Sequence, residues 1–323
     1  MKISNATKIA IRILRKNLGV KSGEIVSIIT DTEMLETAEL IRKACTYLKI
    51  EPNFIVMAPS RFRGEEPPAR VALMMENSEV AIIVTKFSLS HTYARLNATK
   101  KGVRMASMGS VTLDMFQYGL SADYDLIAKR TRRLSKYLEI GSVVEINSTV
   151  GTNLRLDIAN RKPGAPDDGL YIKPAQWGNL PAGEAYIAPI ENSVSGMLVA
   201  DGTIAPIGLL SEQVIIEIDK GRITKISGGK EARKFDDFLR SVDDSNAYIV
   251  AELGIGTNNE SRLIGKMIED EKMLGTVHIG FGMNIDFGGN NKSKTHNDVL
   301  ILAPTVAIDR KIIIKDGKFN IKF

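Results

Sequence analysis

Two of the three histidines in this 323-residue chain stand 18 positions apart, His278 in Gly-Thr-Val-His-Ile-Gly (275–280) and His296 in Thr-His-Asn-Asp (295–298). A carboxylate, Glu252, lies just upstream in Ala-Glu-Leu-Gly-Ile-Gly-Thr-Asn (251–258). Neutral imidazole and carboxylate are donors that zinc, cobalt, manganese and ferrous iron accept, so the grouping reads as a metal site. Side chains alternate along a strand, which points His296 and Asp298 to one face. A further acid, Glu184, interrupts an otherwise apolar strand, where an unpaired carboxylate is costly to bury. It requires a partner, solvent or a cation.

The glycines around these residues do not build a nucleotide loop. Gly254 and Gly256 are followed by Asn259, and Gly280 and Gly282 by Ile285, where G-x-G-x-x-G needs its third glycine. Neither stretch ends in the G-K-[ST] of a P-loop. They read as places where the backbone turns through positive φ or comes close to the ligands.

The elements that must carry the cluster fall into two parts. In the first, apolar strand patterns at 24–30, 53–57 and 80–84 alternate with helical patterns at 33–48 and 69–76, the latter opened by Pro67 and Pro68. Strands apolar on both sides and joined by helices imply a covered parallel sheet. The turn Thr30-Asp31-Thr32-Glu33 has no glycine, so the expectation is a Rossmann-like scaffold without a nucleotide. After a helical stretch at 124–138 the pattern changes to short strands at 142–147 and 152–158, with a hairpin signal at Asp219-Lys220-Gly221 between 214–218 and 222–226. The expected fold class is α/β: a Rossmann-like parallel-sheet domain over residues 1–140 and an α+β, mainly β, metal-binding domain over 141–323.

Composition excludes several classes. The chain is 44% apolar and 25% charged, that of an ordinary folded protein. No apolar run approaches the roughly 18 residues of a membrane span, and no signal-peptide core follows the N-terminus. One cysteine, Cys45, excludes an intrachain disulfide and reads as a buried helix position. A net charge of +5 is small for this length. The densest basic stretch, 129–133, lacks interleaved aromatics and reads as a solvated helix face rather than a nucleic-acid patch. These features give the expectation of a cytoplasmic protein with neither nucleic-acid nor membrane partners; abundant Ile and Lys add a compositional hint of a thermophile.

Several segments together resemble the thermophilic metalloprotease family of aminopeptidase T. They are Asn-Leu-Pro-x-Gly-Glu ending at Glu184, Ala-Glu-Leu-Gly-Ile-Gly-Thr-Asn from Ala251, Glu269-Asp270-Glu271-Lys272, Gly-Thr-Val-His-Ile-Gly around His278, His296-x-Asp298, and Pro304-Thr305-Val306. Gly64-Glu65-Glu66-Pro67-Pro68 and Ser88 to Arg95 extend the resemblance into the first part. It implies two divalent ions per chain (zinc, cobalt or manganese) held by Glu184, Glu252, His278, His296 and Asp298. It also implies a homodimer that removes N-terminal residues from peptides, with Glu252 bridging the ions and Glu252 or Glu184 moving the proton.

Two features depart from the peptidase pattern. Ile285 or its neighbours stand where those enzymes carry a tyrosine after the first histidine ligand, and the 18-residue spacing between the histidines is short. A related branch resembles mononuclear iron dioxygenases that open dihydroxypyridine rings. There His278, His296 and Asp298 would form the 2-His-1-carboxylate set on Fe(II), with Glu184 and Glu252 as nearby bases. A third alternative is a non-catalytic scaffold that keeps the ligands. His91 reads as a helix cap or surface residue that could reach a cleft. Glu269 and Glu271 read as a solvated acidic face or as groups orienting the ligands, and Trp177 as a pocket wall or core cover.

Overall fold

In a computed structural model of the chain, the described residues are 3–62, 64–90 and 92–323; His91 lies outside them. The chain forms two compact units, one made of the residues up to Tyr124 with Gly169–Ala182, the other of Asp125–Asp168 with Gly183–Phe323. It therefore passes between units after residues 124, 168 and 182, where composition placed a single boundary near 140.

The first unit is built on a parallel five-stranded sheet in the order Asn53–Met57, Val26–Asp31, Val80–Val84, Arg104–Ser107, Trp177–Asn179. Both Val26–Asp31 and Val80–Val84 are buried at every position, as their unbroken apolar runs require. Helices Leu35–Tyr47, Ala69–Glu76 and Tyr93–Lys100 connect the strands, and Cys45 is buried in the first of these. Trp177 enters this unit because Met105 pairs with it in register. Its ring lies under the Arg95 guanidinium at 4.0 Å, so it belongs to this sheet edge and not to the unit that carries the five candidate ligands.

The strand order reverses beside Val26–Asp31, the place where a dinucleotide fold receives its pyrophosphate on backbone amides. Here the buried Asp31 takes those amides itself. Its Oδ1 accepts from the N–H groups of Glu33 and Met34, both at 3.0 Å, and its Oδ2 from Lys86 N–H at 2.6 Å. The missing glycine motif thus has a structural counterpart: a side-chain carboxylate occupies the anion position.

The second unit holds two antiparallel sheets. One has eight strands, ordered Arg222–Gly228, Val214–Asp219, Ser195–Ala200, Asn153–Asp157, Val143–Asn147, Thr305–Ile308, Lys311–Lys315, Lys318–Phe319. In its first hairpin Asp219 pairs with Arg222, leaving Lys220 and Gly221 as a two-residue loop, both at positive φ, as a primed turn demands. The other sheet has six strands, ordered Gly208–Leu209, Thr203–Ile204, His296–Ile301, Val277–Gly282, Val250–Gly256, Glu184–Ile187. Leu154, Ile146 and Leu198 from the first sheet and Leu253, Ile279 and Val299 from the second meet in one apolar core, joined by Phe235 and Leu239 of helix Lys230–Val242. Among the described residues no helix is long and apolar enough to cross a membrane.

Candidate metal centre

The six-stranded sheet separates its two faces by alternation, broken once by a bulge. Leu253 and Ile255, Val277 and Ile279, and Val299 and Ile301 turn into the core. The opposite face collects every ligand candidate. Register pairs Gly256 with Glu184, Gly254 with both Tyr186 and His278, Gly280 with both Glu252 and Asp298, and Gly282 with His296. Acids and imidazoles therefore surround two central glycines. A bulge between Val250 and Glu252 returns Val250 to the core while Glu252 stays on the ligand face.

The glycines are needed for space. A β-carbon at Gly254 would lie 2.1 Å from His278 Nε2 and 2.6 Å from Glu184 Oε1, and one at Gly280 would lie 2.8 Å from His296 Nε2 and 2.9 Å from Glu252 Cβ. Neither glycine has left-handed backbone; of the four, Gly282 alone does, at φ +110°. Of the two roles expected of these glycines, close approach to the ligands holds at Gly254 and Gly280, and positive φ holds at Gly282 alone.

All five candidates converge. Glu184, Glu252 and His278 form one ligand-like group, and Glu252, His296 and Asp298 a second that shares Glu252. His278 Nε2 is 2.9 Å from Glu184 Oε1 and 3.7 Å from Glu252 Oε1. His296 Nε2 is 3.0 Å from Glu252 Oε2 and 3.1 Å from Asp298 Oδ1. Glu252 thus stands between the two imidazoles, one on each oxygen. Behind His296, the ring nitrogen Nδ1 lies 2.7 Å from the Met283 carbonyl. With Nδ1–H donating there, Nε2 is the nitrogen turned toward the carboxylates, protonated without a metal and available to one once that proton leaves.

The electrostatics call for a cation. Asp167, Glu184, Glu252, Glu271 and Asp298 are all buried, together with one ammonium, Lys272. The Lys272 Nζ donates to Glu184 and lies 2.8 Å from Glu271 and 3.2 Å from Asp167. Burial works against its charge, but Glu184, Glu271 and Asp167 more than offset that and raise its pKa well above the ordinary lysine range. Burial also opposes charging the imidazoles. For His278 the charge of Glu184 wins and for His296 that of Asp298, and both are raised well above the usual histidine range. Glu252 shows the converse: against the opposing effect of burial, the two imidazoles beside it hold it down to about 2. Burial pushes Glu271 up to about 7 even beside Lys272. Without a metal, protons on the imidazoles balance the acids, and a divalent ion would supply the same charge. Donor chemistry, glycine-made space and an oriented imidazole all fit one.

A sequence model described as NicX, 2,5-dihydroxypyridine 5,6-dioxygenase, matches residues 10–321. The chain belongs to that family. A curated 2,5-dihydroxypyridine 5,6-dioxygenase of Pseudomonas putida is 25% identical over 186 residues, an alignment spanning 54% of this chain and 53% of the relative. The solved structure of the 2,5-dihydroxypyridine dioxygenase of P. putida KT2440 superposes with a TM-score of 0.85 at 19% identity, covering 99% of both chains. AmpT of Thermus thermophilus superposes with a TM-score of 0.69 at 15% identity, covering 98% of this chain and 99% of that one. At these identities the superpositions speak for a shared fold. The expected aminopeptidase T membership, and with it the metallo-aminopeptidase activity on peptides, is overturned by the NicX match over nearly the whole chain. The motifs that carried the resemblance describe ligands and the turns beside them, and they leave the reaction open.

Set against the NicX assignment, four participants went unread in the sequence. Lys272 follows three acids in Glu269-Asp270-Glu271-Lys272, a pattern that reads as an ordinary charged turn. Asp167 sits in a Pro/Gly-rich stretch with no periodicity to betray it. Tyr186 follows Glu184 by two residues, so alternation alone would have placed it on the ligand face. The Met283 carbonyl has no side-chain signature at all. Glu269 and Glu271 are buried rather than solvated; Glu269 accepts from Arg262 N–H at 3.2 Å. Ile285, where a peptidase would have its tyrosine, is exposed.

Proposed function

We propose that this chain is a ring-opening dioxygenase of dihydroxylated pyridines, working with a single ferrous ion held by His278, His296 and Asp298. The observation that carries this reading is the family match over residues 10–321, on a chain whose ligand face gathers His278, His296 and Asp298 around Glu252, with Glu184 beside them. Ferrous iron in such a set supplies open positions at which substrate and dioxygen can be held side by side.

The chain's own residues provide the rest. Glu252, against both imidazoles and held in its charged form, would accept a hydrogen bond from a ring hydroxyl. Glu184 is held by Lys272 on one oxygen and turns the other toward His278 Nε2, which places its charge beside the proposed ion. Tyr186 and Phe287 supply an apolar wall for a planar ring. Their rings meet edge to face at 5.5 Å and 81°, and Phe287 meets His296 the same way at 5.8 Å and 85°.

The test is oxygen consumption by protein purified without oxygen, loaded with ferrous iron and given 2,5-dihydroxypyridine. Uptake of one dioxygen per ring opened, lost in His278→Ala and Asp298→Ala, is the expected result. An iron-loaded, folded chain that consumes no oxygen with dihydroxypyridines would refute the assignment. Elemental analysis should find about one iron per chain; two tightly bound ions would refute the 2-His-1-carboxylate arrangement.

A further inference from the structure

The two imidazoles are oriented differently. Nδ1 of His278 is buried with no hydrogen-bond partner among the described residues, whereas Nδ1 of His296 is met by the Met283 carbonyl. Met283 begins the loop that joins the two histidine strands, and its N–H donates to the Thr295 carbonyl at 2.8 Å. The buried Asn291 donates to the Gly282 carbonyl at 2.6 Å, and the buried side chain that ties the loop to the neighbouring Glu252 strand is Asn284. Its Oδ1 accepts from Asn291 N–H at 2.7 Å. Its Nδ2 donates to the carbonyl of Ala251, the neighbour of Glu252, at 3.4 Å and to Glu191 at 3.3 Å. The Asn284 backbone adds bonds in both directions, N–H to the Asn291 carbonyl at 3.1 Å and carbonyl from Gly289 N–H at 3.0 Å. Glu191 also accepts from Asn290 N–H and is paired with Arg161, whose other arm grips the Gly288 carbonyl, each at 2.5 Å. A β-carbon at Gly289 would fall 2.0 Å from the Asn284 amide carbon, so the loop is shaped around this amide.

We propose that Asn284 is a positioning residue for His296: by tying the loop to the Glu252 strand it holds the Met283 carbonyl against Nδ1 and so aims Nε2 at the metal. This rests on His296 being a metal ligand, as the proposed function has it. Ligating histidines owe their tautomer and ring orientation to such a partner on the other nitrogen, and losing it lowers metal affinity about 10–100-fold.

The test compares the metal-free protein with Asn284→Ala and with Gly289→Ala, which leaves Asn284 in place but drives a methyl into its amide. Cobalt(II) affinity is titrated by absorbance, thermal unfolding is followed without metal, and the His296 Nδ1–H is followed by nitrogen-15 NMR in the zinc-loaded protein. Both variants should bind cobalt about 10–100-fold more weakly while remaining folded, and the protected imidazole proton should exchange rapidly in both. Wild-type affinity in the folded variants, or a proton that stays protected, overturns the proposal. Loss of the fold in both variants overturns it too, since Asn284 would then hold the fold and not the ligand. A wild-type chain that takes up neither metal refutes the metal centre itself, an outcome distinct from failure of the latch alone.

Discussion

Replacing Gly254 by alanine should abolish tight metal binding and leave the fold standing. The Gly254 backbone is ordinary strand, so alanine meets no conformational barrier, and glycine in a strand interior forgoes roughly 0.5–1 kcal/mol that alanine would recover. The new methyl carbon would sit 2.1 Å from His278 Nε2, against 3.4 Å for the start of ordinary contact, so the imidazole must retreat by about 1.3 Å. Glu184 Oε1, 2.6 Å from the same point, must move as well. A displacement near 1 Å in a tuned site costs on the order of 100-fold, or about 2.7 kcal/mol at 1.36 kcal/mol per decade. Gly256→Ala is the matched control. Its methyl would lie 1.9 Å from the Met273 carbonyl oxygen, a backbone atom that cannot swing away, so it should destabilise the metal-free fold by about 1–3 kcal/mol. The assay pairs cobalt titration against a competing chelator with denaturant unfolding of the metal-free protein. Metal affinity equal to wild type in Gly254→Ala would show that the ion does not sit over this glycine and that His278 Nε2 is not a ligand.

Three further outcomes follow from the same geometry. Lys272→Met removes the one ammonium among the buried acids, and breaking such an ion pair should cost about 3–5 kcal/mol in denaturant unfolding; an unchanged midpoint would mean that Lys272 does not balance them. In the metal-free chain the raised pKa values of His278 and His296 contribute stability that is present below the ordinary histidine range and fades as pH rises through the raised values. Metal binding must displace those protons, so affinity should strengthen as pH rises, with about two protons released per ion in calorimetry across buffers of different ionisation enthalpy; pH-independent affinity would contradict this. Burial pushes the Cys45 thiol up to about 12, so an aromatic disulfide reagent at pH 8 should leave the native chain untouched and titrate one thiol per chain in denaturant; rapid native reaction would place Cys45 at the surface.

The five candidates were legible in the sequence because histidine is scarce here, because Glu184, Glu252 and His278 interrupt apolar strand patterns, and because His296 and Asp298 are spaced by two. Lys272 was not, because lysine is common and its burial depends on Glu184, 88 residues away in sequence. The choice between peptidase and dioxygenase was not legible in the ligand motifs either, since both branches draw on the same donors; similarity over residues 10–321 decided the family.

Local pattern by itself determined the parallel scaffold, the first strands and the Lys220-Gly221 hairpin of the second unit, and which acids and histidines were candidates. Those features depend on backbone geometry within a few residues. Only the tertiary structure decided that Glu252 stands between the two imidazoles, that Gly254 and Gly280 clear the space above the sheet, and that the Met283 carbonyl aims His296. Each of these is a contact between strands or loops far apart in the chain, set by register and by the packing of the face beneath, and no local pattern records which residue lies opposite which.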